Sequence, residues 1–310
     1  MSVKTYKFYM FEVWLNIISM ECVSMGFFNY SKPGPGIDKN APKKKGVALY
    51  LELFFRKFWE LIRINVLYFI FSIPAFFIYF CLFTFFILPD LSALIRDMIS
   101  MLETDVANAD VILSNYSMAI GIAFSVVIVI LWGSGPASAS WAYIMRCFTR
   151  ESHAWLWADF KNKLKENFGQ SIIVLAVDVV FMFMSSISIR YYASMYSGTK
   201  SIVYIILCLF MVLLFLIYTL MHAYIYQFMI TFKGNIGQIY RNALVFAIGF
   251  LPMNLLLNII PALVTAIVFM YLNPYFSVIL ALLMWISLCR YPIDFYASRV
   301  IFRKLLSGDK

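Results

Sequence analysis

The sequence predicts an all-α membrane protein that crosses the bilayer six times. Of its 310 residues, 63% are hydrophobic and only 13% are charged, whereas a soluble domain carries about 25% charged residues. Its apolar runs reach the roughly 20 residues that a bilayer-spanning helix needs. The runs are continuous and lack the alternating ten-residue pattern of a membrane β-barrel. Helices are therefore expected, because a helix satisfies its own backbone hydrogen bonds inside lipid.

Six segments have the length and hydrophobicity of spans. They are residues 64–88, 111–133, 170–188, 201–226, 243–270 and 276–295. The fifth segment is longer than a straight span requires, which predicts that it is tilted, kinked or partly unwound.

The basic residues predict the orientation of these spans. Of the 25 Lys and Arg residues, 21 lie before span one, after span six, or between spans two and three or four and five, and Arg290 lies near the C-terminal end of span six. Only Arg96, Arg190 and Lys200 lie in the segments on the opposite side. Basic loops stay on the cytoplasmic side, so both termini are predicted to be cytoplasmic. The net charge of +9 is then explained by the orientation of the spans in the membrane and by contact with lipid headgroups. A nucleic-acid partner is excluded at this stage, because it calls for a basic folded domain.

A helix lying on the inner leaflet is predicted over residues 47–63. Its charged residues fall within an arc of about 140° at 100° per residue, and the remaining circumference is aliphatic and aromatic. Such a helix lies in the membrane interface, although a continuation of span one with a polar seam is the alternative. Lys43, Lys44 and Lys45 precede it, and each adds about 1 kcal/mol of attraction to an anionic leaflet.

The remaining organisation follows from these assignments. Residues 25–46 form a Pro- and Lys-rich cytoplasmic segment, 64–300 the six-helix membrane domain, and 301–310 a cytoplasmic tail. Amphipathic stretches at 155–169 and 226–242 precede spans three and five, as 47–63 precedes span one. Arg63 and Pro74 have the same separation as Arg241 and Pro252. This pattern predicts three units, each an inner-surface helix followed by a two-helix hairpin, as internal repeats do in transporters.

Asp178, in "VLAVDVVFM" near the middle of span three, is the sharpest candidate for a functional residue. A charge there costs at least about 2.5–3.5 kcal/mol, so the carboxyl group must be protonated, paired or facing water. It is either a proton or substrate site, or a hydrogen bond that fixes helix packing.

The other polar groups in the spans each have a structural and a functional interpretation. His222 in span four is a structural histidine or a functional one. Asn254 and Asn258 in span five line a polar path or satisfy backbone carbonyls freed by proline. Arg290 and Asp294, four residues apart, are expected to neutralise each other near the inner end of span six, where long side chains reach the interface.

Two further patterns bear on packing and chemistry. The stretch "WGSGPASAS", residues 132–140, predicts close helix packing by small residues or a broken helix. The five cysteines and two histidines show no metal-ligand spacing. No nucleophile motif, phosphate loop or paired carboxylate is visible, so the chain is predicted not to be an enzyme and to need no cofactor.

Four stretches resemble the YesL family, bacterial membrane proteins of unknown function found mostly in Gram-positive organisms. These are "MGFFNYSKPGPGIDKNAPKKKG" from Met25, "FFRKFWELIRINVLYFIFSIP" from Phe54, "GSGPASASWAYIMRCFTRESHAWLWADFKNKLKENFGQS" from Gly133 and "MHAYIYQFMITFKGNIGQIYRNALVFAIGFLP" from Met221. The resemblance implies that members begin at Met25. Residues 1–24 are then an upstream misreading of the start, with a genuine extension as the alternative.

The resemblance also implies a place in the bacterial plasma membrane and an accessory role beside an ATP-driven carbohydrate importer. The alternatives are a transporter or permease-like subunit in its own right, and a scaffold for a sensor kinase. The predicted contacts with such a partner are on the inner loop between spans two and three: Arg146, Arg150, Trp157, Asp159, Lys161 and Lys165.

Overall fold

The computed structural model describes residues 46–89, 91–93, 106–232 and 234–306. Predictions that concern residues 1–45, most of the acidic segment between spans one and two, and residues 307–310 lie outside this part of the chain. The described residues form helices joined by short connections, with no strand among them. The helices are α1 Val47–Arg56, α2 Phe58–Ile87, α3 Val106–Leu131, α4 Pro136–Thr149, α5 Leu156–Glu166, α6 Phe168–Thr199, α7 Ile202–Thr231, α8 Ile236–Gly249, α9 Leu251–Tyr271 and α10 Pro274–Leu305.

The chain is an all-α polytopic membrane protein, as predicted. Helices α2, α6, α7, α9 and α10 are each long and apolar enough to cross a bilayer. The second predicted span, 111–133, differs from the structure, because α3 ends at Leu131 and α4 follows at 54° across a short break. The two helices are long and apolar enough for a span only when they are taken together. The outward faces of the long helices are covered with large apolar side chains, such as Ile206, Leu209 and Leu213 of α7. A surface of this kind requires an apolar surrounding solvent.

The core lies where α4 meets the C-terminal halves of α7 and α10. Eleven of the fourteen residues of α4 are buried, and every residue from Tyr218 to Met229 of α7 is buried. Small side chains from Ala137 to Ser140 allow neighbouring helices to approach α4 closely. Both predictions for the "WGSGPASAS" stretch hold, because it interrupts the helix and its small residues also pack closely against neighbouring helices.

The chain consists of three similar units, and each unit contains a single-residue kink. Lys57, Asn167 and Phe250 separate α1 from α2, α5 from α6, and α8 from α9. Their (φ, ψ) angles are (−102°, 13°), (−104°, 8°) and (−120°, 31°), all near the sparsely populated bridge region. Each unit is thus a short helix, a kink and a pair of long helices, in the order that the amphipathic stretches predicted.

The helix boundaries correct three details. Residues 58–63, predicted as the end of an interfacial helix, belong to α2 because the chain turns at Lys57. Residues 226–231 belong to α7, and the short helix of the third unit is α8. The matching separations of Arg63–Pro74 and Arg241–Pro252 do not reflect equivalent positions, since Pro74 lies inside α2 and Pro252 lies in the first turn of α9.

The fifth predicted span, 243–270, is interrupted as its length suggested. The chain turns at Phe250, so that residues up to Gly249 continue α8 and a 21-residue span begins at Leu251. Pro252 cannot donate a backbone hydrogen bond, which favours a new helix at this point. Asn235 caps α8 in a capping box with Gln238.

Candidate functional site: a buried aspartate–histidine pair beside a broken helix

Asp178 is completely buried and bonded to two side chains of α7. Its carboxylate oxygen Oδ1 accepts a hydrogen bond from the Tyr218 hydroxyl at 2.6 Å and lies 2.8 Å from Nε2 of His222. Both members of the Asp178–His222 pair are inside the protein, with 0% and 1% of their surfaces exposed. Tyr218 and His222 are four residues apart, so they present both groups from one face of α7.

The second ring nitrogen of His222 shows how many protons the pair holds. Nδ1 lies 3.0 Å from the backbone carbonyl oxygen of Tyr218. A carbonyl oxygen only accepts, so Nδ1 carries a hydrogen. The contact between Nε2 and Asp178 then needs one more proton, whether it resides on the imidazole or on the carboxyl group. In either arrangement the pair has no net charge and contains one proton that both residues share.

The other carboxylate oxygen of Asp178, Oδ2, is also buried, and no hydrogen-bond partner lies near it among the described residues. A buried polar atom without a partner destabilises a fold by about 1–3 kcal/mol. Structures keep few such atoms, and each requires an explanation. An aspartate that served packing alone would be expected to have both oxygens satisfied.

The pair lies against the break between α3 and α4. The Trp132 ring is stacked on the His222 ring, with centroids 5.4 Å apart and planes 9° apart. The indole Nε1 of Trp132 donates to the Thr219 hydroxyl at 2.9 Å, which fixes the position of the ring. Gly133 and Gly135 follow with positive φ angles of 92° and 70°, which residues with a Cβ rarely adopt. The His222 ring is therefore in direct contact with the residue that precedes the bend.

A second buried ionic pair contacts both helices that meet at the break. Arg290 and Asp294 are bonded at 3.2 Å from Nε to Oδ2, and only 3% and 2% of their surfaces are exposed. The guanidinium also donates to the Tyr68 hydroxyl at 2.6 Å and to the Val129 carbonyl at 2.9 Å. Trp141 donates to Asp294 at 2.7 Å. The predicted pairing is confirmed, but the expectation that these side chains reach the interface is wrong. The helix continues to Leu305, so the pair lies in the middle part of α10, which is enclosed there by α2, α3 and α4.

Tyrosines surround the Asp178–His222 pair from several helices. Tyr226 of α7 lies near both buried pairs, because its ring centroid is 6.5 Å from that of His222 and 5.8 Å from Arg290 Cζ. The Tyr226 hydroxyl accepts a hydrogen bond from the Gly135 N–H at 3.3 Å, and the Tyr79 hydroxyl donates to the Gly133 carbonyl at 3.2 Å. The two hydroxyl groups thus satisfy backbone groups that the broken helix leaves open.

Tyr240 of α8 extends this cluster toward the protein surface. Its hydroxyl oxygen lies 3.4 Å from that of Tyr218, and its side chain is partly exposed. Burial, and secondly the Asp178 carboxylate, raise the pKa of Tyr240. Its hydroxyl group therefore keeps its proton at neutral pH and remains a hydrogen-bond donor.

The two asparagines of α9 do not join the Asp178–His222 pair. Asn254 donates to the carbonyls of Phe246 and Ala247 in the last turn of α8 and accepts from the Tyr224 hydroxyl at 2.8 Å. Asn258 donates to the Asn254 carbonyl at 2.7 Å. Of the two sequence-based readings, the geometry of Asn254 matches the satisfaction of open backbone carbonyls, here at the kink.

The predicted partner contacts separate into anchored and exposed residues. Arg146 is turned toward the end of α7, where it donates to the Ile230 carbonyl and the Thr231 hydroxyl. Asp159 accepts from the Trp155 N–H and so caps α5. Four side chains remain exposed: Arg150 at the end of α4, and Trp157, Lys161 and Lys165 of α5. We call the last three the α5 surface.

Sequence reasoning missed the aromatic and hydroxyl partners of Asp178. Tyr218 and His222 are four residues apart, so the sequence alone indicates that they share one helix face. The positions of Trp132 and Tyr240 depend on tertiary packing and left no such signal.

Among the residues that the structure describes, no three His, Cys, Asp or Glu side chains are grouped closely enough to hold a metal ion. Comparison of the chain with protein-family models, with curated proteins and with solved structures finds no match. The YesL resemblance therefore stays a prediction from the four quoted stretches.

Proposed function

We propose that this protein is a proton-coupled transporter of the bacterial plasma membrane, with both termini cytoplasmic and no catalytic activity of its own. The observation that carries the proposal is the buried Asp178–His222 pair, which has an unpartnered carboxylate oxygen and lies against a broken helix. Ionisable groups within spans mark proton and substrate pathways, and transporters place such sites at discontinuous helices.

The chemistry of the pair supplies a coupling mechanism. In its neutral state the pair fits the apolar interior. A further proton would leave a net positive charge, and an isolated charge inside a membrane costs at least about 2.5–3.5 kcal/mol. The protonated pair thus favours any arrangement that brings in water or an anionic group. Trp132 is stacked on His222 at the bend. Protonation of the pair is therefore expected to change the angle between α3 and α4.

Transport is tested in vesicles that contain the purified full-length chain and a trapped pH-sensitive dye. A pH gradient is imposed in the presence of a panel of mono- and oligosaccharides, and internal acidification is recorded. We expect the chain to carry protons, Asp178→Asn to abolish the flux, and His222→Gln to lower it by about tenfold or more, since loss of a positioned proton-transfer group typically costs at least that factor.

Asp159→Asn is the matched control, because it makes the same chemical change on the exterior helix α5. It is expected to leave the flux unchanged. Wild-type flux equal to that of empty vesicles under every condition would refute the transporter proposal, as would equal fluxes for Asp178→Asn and Asp159→Asn.

The α5 surface favours a second candidate, an accessory role beside an ATP-driven carbohydrate importer or a sensor kinase. Trp155 and Trp157 are 70% and 57% exposed, and they lie next to the exposed Lys161 and Lys165. Exposed tryptophan beside basic residues is typical of protein interfaces and of membrane interfaces. The association with carbohydrate uptake rests on the YesL resemblance.

Co-purification in mild detergent tests the accessory role. A tagged chain is expected to retain importer or kinase subunits, and the variant Trp157→Ala/Lys161→Glu/Lys165→Glu is expected to lose them while it remains monodisperse. Lys200→Glu, which changes a charge predicted to face outward, should retain them. An intact importer or kinase that never accompanies the wild-type chain would remove this candidate and leave the transporter proposal in place.

A further inference from the structure

A directed row of hydroxyl groups leads from Asp178 to the protein surface. The Tyr218 hydroxyl donates its hydrogen to Asp178 Oδ1, so in its contact with Tyr240 it can only accept. Tyr240 must therefore be the donor in the 3.4 Å contact between the two hydroxyl oxygens. The order is Tyr240 to Tyr218 to Asp178, with each O–H pointing toward the carboxylate.

The burial of these groups falls in the same order. Asp178 is fully enclosed, Tyr218 is 8% exposed, and Tyr240 is partly exposed on α8. Tyr240 lies between predicted spans four and five, in the segment that the charge distribution assigned to the inner side of the membrane. Among the residues that the structure describes, none of the other groups around Asp178 forms such a route. His222 uses its remaining nitrogen for the Tyr218 carbonyl, while Tyr79 and Tyr226 are bonded to the backbone of the broken helix.

We propose that Tyr240 and Tyr218 form the relay through which protons reach and leave Asp178. This inference rests on the proposed transporter function and adds its proton route. In uptake, the Tyr240 oxygen accepts a proton from a hydronium ion, which becomes a water molecule, and Tyr240 passes its own proton to Tyr218 while Tyr218 passes its own to Asp178. Each tyrosine begins and ends with one hydroxyl hydrogen, and the Asp178–His222 pair gains one positive charge. Release reverses these transfers.

The contact between the two tyrosines is the step that controls the rate. At 3.4 Å it exceeds the 2.5–3.0 Å of an ordinary O–H···O hydrogen bond, so the oxygens must approach by about 0.5 Å before a proton can transfer. Tyr240 lies on α8, whereas Tyr218 lies on α7. The relay is therefore sensitive to small movements of α8, which is joined to span α9 at the Phe250 kink.

Time-resolved infrared spectroscopy of the purified full-length chain tests the relay. A downward pH jump is applied, and the carbonyl band of a protonated carboxyl group is recorded; the band is assigned to Asp178 by its absence in Asp178→Asn. We expect Tyr240→Phe, which keeps the ring and the Tyr218–Asp178 bond, to retain the full band amplitude and slow its appearance by about tenfold or more. Tyr218→Phe should slow it at least as much.

Tyr191→Phe is the control, because Tyr191 is an exposed tyrosine on the same helix as Asp178. It is expected to leave both amplitude and rate unchanged. If Tyr240→Phe fails to fold, incorporation of 3-fluorotyrosine at position 240 alters the acidity of the phenol with little change in volume and should change the rate. A Tyr240→Phe rate within twofold of wild type would refute the relay alone. A chain without any Asp178-dependent band at any pH would instead refute the transporter proposal.

Discussion

Replacement of Arg290 by methionine is expected to lower the free energy of unfolding by about 3–5 kcal/mol, because removal of one partner leaves an uncompensated buried charge. Asp294 would retain only neutral donors, Trp141 at 2.7 Å and Gln227 at 3.3 Å. The Tyr68 hydroxyl and the Val129 carbonyl would also lose their contact with the guanidinium. Thermal or denaturant-induced unfolding in detergent, followed by near-ultraviolet circular dichroism, measures the effect.

Lys163→Met is the matched control. It also replaces the cation of an ion pair by methionine, here in the Lys163–Glu166 pair, whose side chains are 25% and 60% exposed. Exposed pairs contribute about 0–1 kcal/mol, so little change is expected. The double variant Arg290→Met/Asp294→Leu should recover much of the loss, since an apolar pair of similar volume often replaces a buried ion pair without penalty. Equal destabilisation by Arg290→Met and Lys163→Met would contradict the enclosed position of the pair.

The second large effect is expected at the bend. Gly133→Ala should destabilise the protein by at least about 2 kcal/mol, because a strained backbone costs about 1–3 kcal/mol and overpacking costs about 1–3 kcal/mol more. Gly133 has a φ of 92°, and an added Cβ would clash with the Ser138 hydroxyl oxygen and lie 3.0 Å from the Tyr226 ring. The same unfolding measurement gives the stability, and the vesicle assay shows whether the bend is also needed for proton flux.

Gly169→Ala provides the comparison, since Gly169 lies within α6 and a Cβ there would meet no atom within 4 Å. This substitution should be neutral or stabilise the chain by up to about 1 kcal/mol. A Gly133→Ala variant as stable as Gly169→Ala would show that the bend tolerates ordinary residues.

The spans were predictable because their length and hydrophobicity are local properties of the sequence. Asp178 was identified from the sequence alone, since a carboxyl group in an apolar run is conspicuous whatever surrounds it. Its pairing with His222 was not predicted, because this depends on how α6 and α7 are aligned and rotated, and both helices are apolar on most sides. Helix periodicity alone does not fix such a register.

Arg290 shows the limit of a rule based on position along a span. A basic residue near the end of a span usually extends to the headgroups. Here Arg290 lies in the middle part of α10, which continues to Leu305, and α4 covers this part after the break at Gly133 to Gly135. The depth of Arg290 therefore depends on a bend in another helix, and no feature of residues 274–305 encodes it. The kink at Lys57 was missed for a related reason, because apolar and charged residues continue through it without a proline or glycine.

The three kinks at Lys57, Asn167 and Phe250 also bear on how such a chain can change over evolutionary time. If the bent pair is counted as one crossing, each unit contains two crossings. Each unit therefore begins and ends on the same side of the membrane. Duplication or deletion of a whole unit would leave the sidedness of all remaining loops intact. An architecture of this kind can lengthen or shorten in steps of two crossings without inverting any part of the molecule.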